Sequence, residues 1–115
     1  MDTNVRRLLV AFTVALVLCG VASAQEVKAP ETAEDHLALA KQYDEKATMW
    51  NDEAAYHRSM ATNYKRFSKS PGSATIARME KHCMAIVKEA EKLATEAAEM
   101  AKDHRLRAKE LEAKK

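Results

Sequence analysis

The chain has 115 residues, and its 19 lysines and arginines nearly balance its 17 aspartates and glutamates, for a formal net charge of +2. That balance argues against a nucleic-acid-binding protein, which concentrates positive charge on one surface. Glycine and proline occur only twice each, while alanine, lysine and glutamate are abundant. These residues favour helices, so the composition predicts an all-α protein.

Residues 1–24 have the pattern of a cleaved signal peptide. Two arginines precede an apolar stretch over 8–18, and small residues occupy 22–24. The apolar stretch is short for a membrane span and has the length of a signal-peptide core. We therefore predict export across the inner membrane, to the periplasm. A twin-arginine signal and a lipoprotein anchored at Cys19 are weaker alternatives, the latter because the large Leu18 occupies a position that lipidation signals keep small.

Cleavage at this position would leave Cys83 as the one thiol of the exported chain. In an oxidising compartment an unpaired cysteine calls for an explanation. Three interpretations are open: a small apolar residue packed between helices, a metal or redox contact, or an intermolecular disulfide. Packing is the favoured one, because a buried cysteine behaves like a small hydrophobic residue.

Residues 25–30 predict a short disordered lead before the first helix. An acidic stretch then begins a helix that we expect over about 31–67. Thr32 and Asp35 have the spacing of an N-cap pair, and acidic side chains suit the positive end of the helix dipole. Further along the chain, no proline or glycine interrupts this helix before residue 71.

The turn signal lies at residues 68–73, which contain adjacent proline and glycine. Ser73 is a candidate N-cap for a second helix over about 74–113, whose last turns are basic and suit the negative end of its dipole. A short connection between two long helices predicts a long antiparallel two-helix hairpin over 31–115.

Both helices carry small or amphipathic residues at alternating spacings of four and three. This heptad repeat predicts an alanine-rich seam along which the two helices pack. The seam residues of the first helix are His36, Ala40, Tyr43, Ala47, Trp50, Ala54, His57, Ala61 and Tyr64. Those of the second helix are Cys83, Val87, Ala90, Ala94, Ala97, Ala101, His104, Ala108 and Leu111.

Folding the hairpin about residue 72 sets large seam residues of one helix against small ones of the other. Tyr43 then lies opposite Ala101, and Trp50 lies opposite Ala94. Alternating large and small side chains lets two helices approach closely. The aromatic residues, which include Tyr64, are read as packing residues in preference to a docking strip.

A second apolar row lies beside the seam of the second helix, at every seventh residue: Met79, Ile86, Leu93 and Met100. Leu39, Met60 and Phe67 flank the seam of the first helix. A single hairpin buries one stripe per helix, so a second stripe predicts self-association into a four-helix arrangement. The alternative is that these residues only broaden one seam.

The seam also contains the candidate metal ligands. In the predicted register His36 is a diagonal neighbour of His104, and His57 is a diagonal neighbour of Cys83, with His82 beside that thiol. Imidazole and thiolate are ligands for Zn²⁺ and Cu(I). Because packing is the favoured reading of each residue alone, no cofactor is predicted, and a Zn or Cu site is the alternative.

Enzyme signatures are missing from the sequence: it contains no HExxH or CxxCH motif, no glutamate followed by histidine three residues later, and no glycine-rich phosphate loop. The general pattern is similar to small exported bacterial helical hairpins. We therefore predict a non-enzymatic structural or interaction module of the bacterial cell envelope. Its expected partners are a second copy of the chain or another helical envelope protein. The alternative is a metal- or redox-responsive binding protein that uses the cysteine and the histidines.

Overall fold

A computed structural model describes residues 26–69 and 73–114. They form two helices, α1 over Ala33–Phe67 and α2 over Ala74–Glu112. The helices pack along each other in opposite directions, since His36 near the start of α1 meets His104 near the end of α2. This confirms the predicted all-α antiparallel hairpin. The predicted signal peptide and the proline–glycine pair of the turn lie outside the described residues.

Helix α1 begins with a capping box, which confirms the predicted N-cap pair. The Thr32 hydroxyl accepts a hydrogen bond from the Asp35 backbone N–H at 3.1 Å, and the Asp35 carboxylate accepts from the Thr32 N–H at 3.0 Å. The Glu31 N–H donates to the same carboxylate at 3.3 Å. These bonds, led by the one from the Thr32 backbone, lower the pKa of Asp35 because they stabilise its charged form.

Helix α2 begins differently. Ser73 occupies the N-cap position, but its side chain makes no capping bond. Its hydroxyl donates instead to the carbonyl oxygen of Ser68, beyond the end of α1. Ser73 is therefore the N-cap residue by position, as predicted, although no side-chain bond supports the cap. The hydroxyl is used to join the two sides of the turn, which leaves the first backbone N–H groups of α2 without that partner.

The buried residues lie along the predicted seam and are mostly alanines. They are Ala33, Ala40, Ala54 and Ala61 of α1, and Cys83, Val87, Ala90, Ala94, Ala97, Ala101 and Ala108 of α2. Trp50 is half-buried and packs against a central cluster of Ala54, Val87 and Ala90. The alanine-rich heptad seam is thus confirmed, and Ala33 extends it by one position that the sequence reading missed.

Large and small residues divide between the two helices as the sequence predicts. Tyr43, Trp50 and Tyr64 of α1 are half-buried, whereas Ala94 and Ala101 of α2 are buried. The Tyr43 ring stacks on the His104 ring with centroids 5.5 Å apart, within one turn of its predicted partner. Within the described ranges, neither helix is long and apolar enough to cross a membrane.

Candidate functional site

One edge of the hairpin is closed by ion pairs between the helices. Asp44 pairs with Arg105, and Arg58 pairs with Glu91. Each of these four residues directly follows a seam residue, so all four lie on the same side of the seam; we call them the charged edge. The hydrogen bonds from Arg105 to Asp44 raise the pKa of the Arg105 guanidinium. Half-exposed pairs of this kind align helices more than they stabilise them.

The opposite edge carries the apolar rows that flank the seam. Residues directly preceding seam positions lie on the other side of it, because positions before and after the contact line diverge around a helix. This apolar edge consists of Leu39, Met60 and Phe67 of α1 and of Met79, Ile86, Leu93 and Met100 of α2. The four residues of α2 remain between 39% and 42% exposed. The hairpin alone therefore does not bury them.

Helix α1 widens this apolar edge with two further side chains. Met49 is 52% exposed and Tyr56 is 61% exposed. Tyr56 lies four residues before Met60 and seven after Met49, so both share the α1 face that adjoins the edge. Sequence reading missed them because neither belongs to the seam or to its flanking row. Their seven-residue spacing was the sequence signal that could have assigned both to one face of the helix.

Of the two predicted pairs, His36 with His104 and His57 with Cys83, the structure brings the two histidines together. The Nδ1 atoms of His36 and His104 lie 2.8 Å apart, and their ring centroids lie 5.1 Å apart. Tyr43 stacks on His104, and the Lys46 Nζ lies 4.8 Å from the centre of the Tyr43 ring. The cluster is part-buried at the end of the hairpin remote from the turn.

The short contact between the two histidines constrains their protons. One Nδ1 must carry a hydrogen and the other must offer a lone pair, because two N–H groups repel and two lone pairs cannot bond. At least one ring therefore carries its proton on Nδ1. Protonating both rings would turn the contact into a repulsion between two donors.

The same pair has part of the geometry of a metal site. Two imidazole nitrogens bound to one tetrahedral Zn²⁺ lie about 3.3 Å apart, given Zn–N bonds of about 2.05 Å. The observed 2.8 Å separation of the His36 and His104 Nδ1 atoms is shorter, so a metal would require the rings to part slightly. Across residues 26–69 and 73–114, no group of three or more potential ligands converges. The pair supplies half of a tetrahedral site.

The second predicted pair is arranged differently. Cys83 is buried and its thiol is free. The His57 Nε2–H donates a hydrogen bond to the Glu53 carboxylate at 2.9 Å, one turn back on its own helix. Its other ring nitrogen, Nδ1, is buried and has no hydrogen-bond partner in the described part of the chain. His82 is exposed on the surface of α2.

The hydrogen bond to Glu53 therefore fixes which nitrogen of the His57 ring is engaged. With Nε2 bound to Glu53, Nδ1 is the ring nitrogen left without a partner among the described residues. Among the described residues no hydrogen bond joins His57 to Cys83, so the structure does not assemble a thiol–imidazole pair of the kind that activates a cysteine. The buried thiol contacts the seam as a small side chain does.

The hairpin therefore presents two kinds of feature: a polar cluster at its open end, and an exposed apolar edge along its length. Comparison of this chain with family models, with curated proteins and with solved structures gives no match.

Proposed function

We propose that this chain is a non-enzymatic helical-hairpin module that binds another helical surface in the bacterial cell envelope. The observation that supports this most strongly is the apolar edge. Four large apolar side chains of α2, about 40% exposed, recur at seven-residue spacing beside the seam. A contiguous apolar patch on a soluble protein is typical of an interaction site. A second copy of the chain or another helical envelope protein would add the missing layer.

The location in this proposal is supported by the N-terminal sequence pattern. The basic start, the apolar stretch and the small residues at 22–24 are typical of a secretory signal. Expression of the full chain followed by N-terminal sequencing of the periplasmic fraction should find Gln25 as the first residue. An uncleaved chain retained in the cytoplasm would contradict the assigned location.

The binding role can be tested with matched substitutions on α2. Replacing both Ile86 and Leu93 by aspartate should abolish association, because charge placed on the apolar edge would have to be desolvated. The control replaces their immediate neighbours Ala85 and Lys92 by aspartate, which places the same new side chains on the outward face. Sedimentation velocity of the purified protein and cross-linking in intact cells provide the readout. Association that survives in the edge variant, or a wild type that associates neither with itself nor with a cross-linked partner, would count against the proposal.

A second candidate function is supported by the contact between His36 and His104. Paired imidazoles across a seam can bind Zn²⁺ or Cu(I), which would make the protein a metal-responsive module. Cys83 would take part if its thiolate and the Nδ1 of His57, which has no partner in the described part of the chain, reached the same ion. Such binding would strengthen as pH rises, because ligands must lose their protons.

Metal titration separates the residues of this second candidate. Zn²⁺ and Cu(I) are titrated into wild type and into the variants His104→Ala and Cys83→Ala, followed by calorimetry. Saturable binding that His104→Ala removes would assign the open-end cluster. Binding that only Cys83→Ala removes would assign the thiol. Absence of saturable binding near micromolar concentrations would rule out this function.

A further inference from the structure

The apolar edge is bordered on α2 by a row of acidic residues. Glu89 lies three residues after Ile86 and four before Leu93, so it borders both side chains. Glu96 borders Leu93 and Met100 in the same way, and Asp103 follows Met100 by three residues. All three acidic residues are exposed, and none takes part in an ion pair within residues 26–69 and 73–114.

Lys92 directly precedes Leu93, but the other four lysines of α2 lie elsewhere on the helix. They form a parallel row on the side of the charged edge, at Lys81, Lys88, Lys102 and Lys109. Lys81 and Lys88 each follow an apolar-edge residue by two positions, and residues two apart do not face each other on a helix. Apart from Lys92, helix α2 is therefore divided lengthwise, with acids beside the exposed apolar row and lysines away from it.

The α1 side of the apolar edge offers little positive charge in return. Lys46 lies in the row of Leu39 and Met60, and its ammonium group is held over the Tyr43 ring. Glu53 in the same row is bound to His57. A second copy of the chain, placed face to face, would bring one engaged lysine on each α1 toward three acids on each α2. One lysine per copy does not balance three acids, and the acidic rows of the two copies would repel each other.

From these observations we infer that the apolar edge binds a basic amphipathic helix, one whose apolar stripe is bordered by lysine or arginine. This inference rests on the proposed function and selects among its partners. The apolar side chains of α2 supply the contact area, and Glu89, Glu96 and Asp103 select the sign of the partner's rim. Electrostatic selection of this kind acts on association rate and specificity and weakens with salt.

The test uses two synthetic helical peptides of equal length with leucine at every a and d heptad position. One carries lysine at the flanking positions and the other carries glutamate. Fluorescence anisotropy measures their binding to the exported form of the wild-type chain at low and high salt. At low salt the lysine peptide should bind at least about tenfold more tightly than the glutamate peptide. This difference in affinity should shrink as the salt concentration rises.

Charge reversal on α2 provides the matched comparison. The double variant Glu89→Lys with Glu96→Lys should exchange the preference, so that the glutamate peptide binds more tightly. The control Lys81→Glu with Lys88→Glu reverses two charges on the other side of the same helix and should keep the wild-type preference. Circular dichroism shows whether each variant is folded, and a variant that loses helicity is replaced by the milder Glu→Gln or Lys→Gln pair.

The outcomes distinguish this inference from the proposed function. Equal binding of the two peptides, or a control that changes the preference as much as the rim variant, overturns the basic-helix inference. A wild type that binds neither peptide but dimerises through Ile86 and Leu93 also overturns it, while leaving the binding role intact. A wild type that binds neither peptide and does not associate overturns both.

Discussion

The two helices follow one heptad repeat but use it differently. Helix α2 places small residues in the seam and buries them, with Ala101 fully enclosed at 0% exposure. Helix α1 places Tyr43, Trp50 and Tyr64 in the seam, and these remain half-buried. Two helices form a single contact layer, which can enclose a methyl group but not a whole aromatic ring. The large side chains of α1 therefore cover the alanines of α2 and stay partly open themselves.

The exposed rows of the two helices also differ. On α1 the apolar edge is interrupted by Lys46 and Glu53, and each is bound to a ring of its own helix. On α2 the row from Met79 to Met100 is uninterrupted and bordered by acids. The uninterrupted apolar row therefore belongs to α2, whereas charged residues divide the corresponding row of α1.

The largest effect should come from removing the main packing side chain of α1. Trp50→Ala is expected to lower the free energy of unfolding by about 3 kcal/mol, because it uncovers the cluster of Ala54, Val87 and Ala90. Urea denaturation followed by circular dichroism measures this. Met49→Ala, one residue earlier and 52% exposed, should change stability by less than about 0.5 kcal/mol. Equal losses in the two variants would show that the ring does not hold the seam.

Helix α2 should respond to the opposite change, an enlarged side chain. Ala94→Leu is expected to lower the free energy of unfolding by about 1–3 kcal/mol, since Ala94 is buried where the helices approach closely. The same substitution at exposed Ala85 should be nearly neutral. Thermal unfolding of both variants gives the comparison. A stable Ala94→Leu protein would mean that the helices can separate there without loss.

Removing the hydroxyl at the start of each helix should lower the free energy of unfolding by a smaller amount, and by different amounts in α1 and α2. Thr32→Ala removes a capping bond from α1 and should cost about 1 kcal/mol. Ser73→Ala should cost less, because its hydroxyl makes no such bond in α2. Chemical denaturation at one protein concentration measures both. A larger loss for Ser73→Ala would show that its bond to Ser68 matters more than a cap.

Acid should weaken the start of α1 through Asp35. Its pKa is lowered below the ordinary value of 3.8 in the folded chain, so the carboxylate contributes stability above that value. The contribution is lost as pH falls through the lower folded pKa. Asp35→Asn should therefore be less stable than wild type at neutral pH, and the difference should narrow in acid. A difference that does not change with pH would contradict the assigned role of the charge.

The smallest effect is expected where the two helices are joined by charge. Arg58→Gln removes one ion pair between half-exposed side chains and should cost about 0.5 kcal/mol at low salt. Adding salt should reduce the difference, since exposed pairs are screened. Denaturation of Arg58→Gln and of Glu91→Gln at two salt concentrations measures this. A loss above 2 kcal/mol that salt leaves unchanged would show that the charged edge is as important as the seam.

Much of the candidate site could be read from the sequence because it lies on regular helices. The exposed row of Met79, Ile86, Leu93 and Met100 follows from seven-residue spacing alone. The meeting of His36 with His104 follows from an antiparallel register centred near residue 72. The ion pairs of the charged edge were not predicted, although opposite charges directly follow seam residues in both helices. Arg105 reads in sequence only as part of a basic helix end.

By itself, the sequence determined the two helices, their antiparallel pairing and the alanine seam, because heptad spacing and one proline–glycine turn leave few ways to bury the apolar stripe. Only the tertiary structure decided which polar side-chain groups contact each other. A long side chain reaches partners one turn away in either direction, and spacing cannot choose between them. Thus His104 contacts His36. His57, three heptads after His36, binds Glu53 instead, and Cys83 packs as a small buried group.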